Sequence, residues 1–426
     1  MKLILLFPAI LISLTSFTQQ KTPDSIQQID LDPVTIVSER SSLLPGSGQY
    51  IGSQKLTKLN QPNVNNILRT IPGVNIRDEE GFGLRPNIGL RGTPTNRSAK
   101  ITLMEDGILI APATYADPSA YYFPTFARMK GVEVLKGTSQ IKYGPYTVGG
   151  AVNLLSTTIP TSFKGFAQLS YGSFGTNHQR IWVGDSQKNI DYVFELNRLA
   201  SKGFKELENG GNTGFDRRDV MAKIRWHSSN KALIPQSIEI KLVSTTEKGN
   251  ESYLGLTYED YVINPLKRYS ATQKDLLDMN HNHVSLTHKI NPNKNFSIVT
   301  AFYYSTTFRD WGRVNAIGAQ NIATIISNPT LHQVPYQIMI GKTDGTVDYQ
   351  SAARTYFSKG IQSNAQYIFN TKSIAHKIQM GIRLHADQAD RFATRSVYSM
   401  TNRNMILTNS GIKGNQENQI RYAKSF

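Results

Sequence analysis

The chain of 426 residues contains no cysteine. That excludes a disulfide framework, thiol chemistry and cysteine-based metal sites. Long apolar runs are missing too: beyond Leu14 no window approaches the roughly 20 apolar residues that a membrane-crossing helix requires. Acid is scarce relative to base, with 31 Asp and Glu against 47 Lys and Arg and a formal net charge of +16. Nucleic acid, anionic headgroups or an anionic small ligand would each account for that excess. No RNP motif, finger or basic helix accompanies it, so it points to a membrane surface or a ligand rather than to nucleic acid. There is no G-x-S-x-G and no H-E-x-x-H, and spacing singles out no carboxylate pair. A secreted β-rich hydrolase would therefore lack a catalytic signature.

What is present begins with an export signal. Met1-Lys2 leads into the apolar run Leu3 to Leu14 and then into Thr15, Ser16, Thr18 and Gln19. This pattern marks residues 1–19 as a signal peptide, its apolar core being too short to span a bilayer. Residues 20–40 are polar apart from LDPVTIV, Leu31 to Val37, where Pro33 and the flanking acids favour an extended segment over a central strand. Residues 41–160 read as a small, loop-rich α+β domain. QPNVNNILRTIPG supplies a short helix over 63–69 that Pro72-Gly73 ends, and GVNIRD, NIGLRG, AKITLMEDG, GVEVLKG and GGAVNLLS supply strands broken by glycine turns.

Residues 161–426 alternate instead. Ile190, Tyr192, Phe194 and Leu196 oppose Asp191, Glu195 and Asn197, and Val220, Ala222, Ile224 and Trp226 oppose Asp219, Lys223, Arg225 and His227. Ile378, Met380, Ile382 and Leu384 oppose Lys377, Gln379, Arg383 and His385. One face is too charged for a sandwich core, whereas a barrel with an apolar exterior and a polar lumen accommodates both. A half-solvated antiparallel sheet in a soluble protein is the alternative on pattern alone. His281 and His283 share a face, with His288 of opposite parity, and read as polar lumen residues rather than metal ligands.

KYGPYTVGGAVNLLS, Lys142 to Ser156, carries the densest glycines next to a strand. It has neither the Lys-Ser/Thr pair of a phosphate loop nor the strand–glycine–helix order of a dinucleotide site, so it is a bend before a strand.

In this order, PGVNIRDEEGFGLRPNIGLRG (Pro72 to Gly92), ITLMEDGILIAPATYADPSAYY (Ile101 to Tyr122), VEVLKG (Val132 to Gly137) and YGPYTVGGAVNLLSTTIP (Tyr143 to Pro160) resemble TonB-dependent outer-membrane receptors, and among them the ferric (Fe(III)) dicitrate receptor group, the FecA type. SYLGLTYEDY (Ser252 to Tyr261) and RDWGR (Arg309 to Arg313) extend the likeness into the alternating region. The resemblance implies an α+β plug inside a 22-stranded transmembrane antiparallel β-barrel. About ten strands are countable here, which makes the chain the N-terminal part of such a receptor.

It further implies uptake of a ferric chelate, ferric citrate first, with another siderophore or a glycan as alternative cargo. Iron would be cargo, with no cofactor and no catalysis. The implied location is the outer membrane of a Gram-negative bacterium, in contact with its lipid. Asp32, Pro33, Val34, Thr35, Ile36 and Val37 would form the TonB box, pairing as a strand with the periplasmic energy-coupling TonB complex. No room remains for an N-terminal signalling domain. Guanidinium groups fork onto carboxylates, which gives ligand roles to Arg85, Thr114 and Tyr115 at the plug apex, beside Asp117, and to Arg217, Arg268, Arg309 and Arg313 in the barrel. Arg91, Gly92 and Glu133, with Gly144, Gly149 and Gly150, would hold the plug together. A surface adhesin or soluble binding module is the reading from another class.

Overall fold

The computed structural model describes residues 48–59, 63–143, 148–229, 231–372 and 374–426. The expected signal peptide, the segment 20–40 with its box Asp32 to Val37, the first plug residues and Gly144 lie outside the described residues.

The N-terminal region forms a mixed five-stranded sheet and a separate hairpin. In chain order the strands are β1 (Gln49–Ile51), β2 (Val74–Arg77), β3 (Asn87–Leu90), β4 (Thr102–Glu105), β5 (Ile108–Leu109), β6 (Met129–Leu135) and β7 (Ala151–Ser156). The sheet order is β1-β6-β7-β4-β5, and β2 pairs with β3. Asp106-Gly107 joins β4 to β5, both residues at positive φ, as a two-residue hairpin turn requires. Helix α1 (Ser53–Leu59) precedes α2 (Val64–Leu68), whose N-cap Asn63 accepts from the Asn65 amide at 2.8 Å. Val64, Ile67 and Leu68 recur at helical spacing and are buried in one core with Ile88, Leu90, Val132, Val134, Val152 and Leu154. Gly150 sits at φ +149° before β7, and a Cβ there would lie 2.6 Å from the Leu135 carbonyl oxygen.

Ten long strands follow: β8 (Lys164–Gly172), β9 (Thr176–Ser186), β10 (Ile190–Ser201), β11 (Phe215–His227), β12 (Gln236–Gly249), β13 (Leu276–Asn293), β14 (Phe296–Ile317), β15 (Gly345–Thr371), β16 (Ile374–Thr401) and β17 (Glu417–Ser425). With two short strands they make one twelve-stranded sheet in which sequential long neighbours pair antiparallel. Strands β8 and β17 do not pair, so the sheet is open. Its polar face meets the plug, where Asp191, Glu195, Asp219, Lys223 and Lys241 are buried. The other face leaves Phe194, Leu196, Ile224, Trp226, Ile240, Leu242, Phe302 and Tyr304 exposed. This inversion, charge inside and apolar groups outside, is that of a barrel wall facing lipid. Among the described residues no helix is long and apolar enough to cross a membrane.

Along β16 the alternation does not produce two environments: nearly every residue from Ile374 to Ile382 is exposed. Plug contact begins at Arg383, whose Nη1 donates to the Tyr143 carbonyl at 2.8 Å. The long-loop end of the sheet carries α3 (Tyr258–Ile263), α4 (Ile322–Ser327) and α5 (Gln333–Met339). Residues of α4 and α5, Ile322, Ile325, Ile338 and Met339, share a second core with Tyr269 and Met400.

Buried ion pairs fix the plug against β11 and β12. Arg128, fully buried, bonds Glu105 through both terminal nitrogens and places Nε 3.0 Å from Asp219 Oδ1. Lys241 reaches Glu105 and, at 2.6 Å, Asp106, while Lys223 lies 3.2 Å from Asp106. Burial pushes the Glu105 carboxyl up, but Arg128 and Lys241 outweigh it and hold the group at about 2. Burial likewise opposes Lys223 and Lys241 at Asp106, which they hold well below the usual carboxylate range.

Removing one partner of a buried pair costs about 3–5 kcal/mol, because the other charge stays buried. Arg128→Met should therefore make the plug protease-sensitive under conditions where the unaltered plug resists; equal resistance would contradict the role given to Arg128. Depressed carboxylate pKa values contribute stability that is present above the unfolded values and lost as pH falls through the folded ones. Plug protection should thus be flat from neutral pH to about 5 and fall between about 4.5 and 2.

Candidate ligand site at the plug apex

Four loops and strand ends converge at the long-loop end of the plug. The turn between β3 and β4 brings Arg97, and the segment before β6 brings Tyr121. From the sheet, β14 brings Arg309, Trp311 and Arg313, which share a face by strand period, and β15 brings Arg354 and Tyr356. Three guanidinium carbons surround the Tyr121 ring centroid: Arg309 at 3.9 Å, Arg97 at 5.3 Å and Arg354 at 5.4 Å. Arg97 also lies 4.7 Å from the Trp311 ring, and Arg313 lies 5.5 Å from that of Tyr253. Aromatic faces attract cations, which is how so much positive charge is held together without an equal number of acids.

The acids present are accounted for. Glu79 takes Arg97, and Asp117 takes Arg354 at 2.8 Å and lies 3.9 Å from Arg391. Burial presses Arg97 to lose its proton, but Glu79, with Tyr253 and Tyr121, more than offsets this. Among the described residues neither Arg309 nor Arg313 has a carboxylate within ion-pair reach. Arg309 is only 2% exposed, yet its Nε and Nη2 have no hydrogen-bond partner of good geometry there, and the same holds for Trp311 Nε1, while the Tyr356 hydroxyl lies beside the Arg309 and Arg354 guanidinium groups. Buried donors are ordinarily satisfied. Unsatisfied donors on a surplus of positive charge are suited to an anion, and the Tyr121 ring lies over the Arg309 guanidinium that would meet it.

The other arginines expected at the site are already engaged. Arg85 bonds Glu247 and, through Nη2, both oxygens of Glu251 at 2.7 and 2.6 Å. Arg217 donates to Thr125 Oγ1 at 3.1 Å, to Glu247 at 2.9 Å and to the Leu84 and Phe123 carbonyls, which makes it a tie between β11 and the plug. Arg268 organises its own loop through Thr272 and the Asn250 carbonyl. Thr114 is buried against the Ala111 carbonyl, and the Tyr115 and Ala116 amides donate to Asp387 at 2.8 and 2.9 Å. Asp117 is paired, so its charge does not oppose an anion.

Arg91 is exposed, with φ +54° and no ion pair among the described residues, and the ionic role expected of it falls to Arg128. Gly92 follows it at φ +81°. Glu133 is buried and accepts from Asn153 Nδ2 at 2.8 Å. A Cβ on Gly149 would meet Thr93 Oγ1 at 2.8 Å. His281 pairs with Thr307 and stacks on Tyr122 with ring centroids 3.6 Å apart, while His283 pairs with Ser305. Among the described residues no group of three metal-ligating side chains forms. The sequence did not single out Arg97, Arg354 or Tyr121. Alternation in RDWGR joins Arg309 to Trp311, but nothing local joins them to the plug.

Residues 41–151 match the TonB-dependent Receptor Plug Domain. The vitamin B12 transporter BtuB of Vibrio vulnificus (strain YJ016) is 28% identical over 232 residues, which cover 52% of this chain and 36% of that protein. The unliganded ferric citrate transporter FecA superposes with a TM-score of 0.64 at 18% identity, over 86% of this chain and 51% of that one. The open form of the ferric-catecholate import receptor Fiu from E. coli K12 gives 0.62 at 16% identity, over 88% and 52%. The chain thus spans about half the length of these receptor structures. Residues 41–151 thus match a plug-domain family, and the open antiparallel sheet has the fold seen in the FecA structure.

Proposed function

We propose that this protein is an outer-membrane receptor that takes up an anionic ferric chelate, ferric citrate foremost, with energy supplied by the TonB complex through Asp32 to Val37. The observation that carries the reading is the set of unsatisfied donors on Arg309, beside Arg313, Arg354 and Arg97. Citrate complexes of ferric iron are anionic and present carboxylates, which guanidinium groups bind in forked geometry. Arg309 and Arg313 are the direct ligand residues, whereas Arg85 and Arg217 hold the plug. Tyr121 occupies the guanidinium face and yields it to the chelate, so that binding on the sheet is felt by the plug. Outer-membrane lipid covers the exposed apolar face. Vitamin B12, the cargo of the relative from Vibrio vulnificus, would make little use of a surplus of arginine.

Charge-assisted hydrogen bonds contribute about 1.5–3 kcal/mol each. Arg309→Gln with Arg313→Gln should therefore weaken ferric citrate binding at least about tenfold while changing the affinity for a neutral hydroxamate siderophore little. Equilibrium titration checks this, and equal losses for both ligands would remove the two arginines from the site. Added salt should weaken ferric citrate binding as well. Deletion of Asp32 to Val37 should abolish energised uptake and leave surface binding intact; normal iron-dependent growth of the deletion strain would contradict the box.

A further inference from the structure

Next to the arginine cluster lies a pocket with acids on its wall. It has a volume of about 190 Å³ and is walled by the apex residues Asp78, Glu79, Glu80 and Phe82, by Phe204 and Lys205, and by Glu251, Tyr253, Arg268 and Trp311. Gly81 at φ +84° lets the apex loop close on Phe204, whose ring would lie 2.8 Å from a Cβ there. Three of the four acids are answered: Asp78 by Arg69, Glu79 by Arg97 and Glu251 by Arg85. Glu80 is not. It is 9% exposed, its Oε1 accepts from the Leu84 and Arg85 amides, and its Oε2 has no partner among the described residues.

A buried carboxylate oxygen without a donor is costly unless a cation or donor arrives. The crowding of acids is felt even by the paired Glu251: burial raises its pKa, Arg85 opposes this, and Glu80 and Glu79 add to the rise. The cations on the pocket wall do not answer Glu80. Arg268 is committed to its loop, Arg77 is exposed, and burial together with Arg268 lowers the pKa of Lys205, weakening its hold on a proton. Phe82, Phe204, Tyr253 and Trp311 supply aromatic walls, which favour an ammonium over a neutral polar group.

Tyr253 and Trp311 are shared with the arginine cluster, where Trp311 lies 4.7 Å from Arg97 and 5.9 Å from Arg309. One ligand can therefore reach both regions. We propose that the pocket around Glu80 binds a protonated primary amine on the same ligand whose anionic end meets Arg309, so that the preferred cargo is a dipolar, amine-bearing ferric chelate. This rests on the receptor reading for the cargo, but the pocket itself does not.

The test uses the folded chain in detergent, with tryptophan fluorescence as the readout and n-butylammonium and n-butanol as probes. Butylammonium should bind at least tenfold more tightly than butanol, Glu80→Gln should erase that preference, and Lys205→Met should strengthen butylammonium binding several-fold. Equal binding of the two probes, or a preference untouched in both variants, would overturn the proposal. In a second arm, ferric citrate is compared with the ferric complex of citrate amidated with one diaminoethane. The amine-bearing chelate should bind at least tenfold more tightly, and Glu80→Gln should remove the gain. If both chelates bind and the amine adds nothing, the dipolar-cargo proposal fails. If neither chelate binds while the amine probe does, the amine pocket stands and the ferric-chelate reading fails.

Discussion

Everything at the apex depends on the buried ion pairs that join the plug to β11 and β12. Arg128, Glu105 and Asp106 from the plug meet Asp219, Lys223 and Lys241 from the sheet, all but the partly exposed Asp106 with almost no access to water. Such pairs add little net stability compared with apolar packing, but they are exacting about position, because a displaced partner leaves a buried charge unanswered. The plug is thereby held in one register. Asp387 does the same for the segment that carries Tyr115, with His385 3.0 Å from it and Tyr303 2.8 Å from His385.

Held in that register, the apex commits some of its charges to counter-ions and internal acceptors and leaves others without a counter-ion among the described residues. Arg85, Arg217 and Arg268 are spent on carboxylates and carbonyls. Arg309 and Glu80 keep buried polar atoms that nothing within the described residues answers. Both neighbour an aromatic pair, Tyr253 and Trp311, whose rings pack edge to face 4.7 Å apart: Arg309 lies 5.9 Å from Trp311, and Glu80 lines the same pocket as both rings. A site with a positive and a negative end selects by the spacing of charges on the ligand, and it penalises a ligand that leaves one end empty.

Much of the architecture was legible from local rules. The short helix appears as α2 because Val64, Ile67 and Leu68 follow helical spacing, and period two assigned the faces of β10 and β11 correctly. The exposed stretch Ile374 to Ile382 shows the limit of that rule, since alternation states which residues share a face and not what covers it. Strands β1 and β5 have three and two residues and give no period to read. The site was legible only in part. RDWGR identified Arg309 and Arg313, but whether an arginine is spent depends on partners such as Glu247 and Glu251, which lie 162 and 166 positions from Arg85. No local signal carries that information.

The most direct test of the account is where iron sits. Crystals of the protein soaked in ferric citrate, with diffraction collected at the iron absorption edge, should show one anomalous peak beside Arg309 and Arg354, with Tyr121 displaced from the Arg309 guanidinium and Arg85 still bound to Glu247. An iron peak elsewhere with Tyr121 in place, or no peak when binding is saturated in solution, would contradict it.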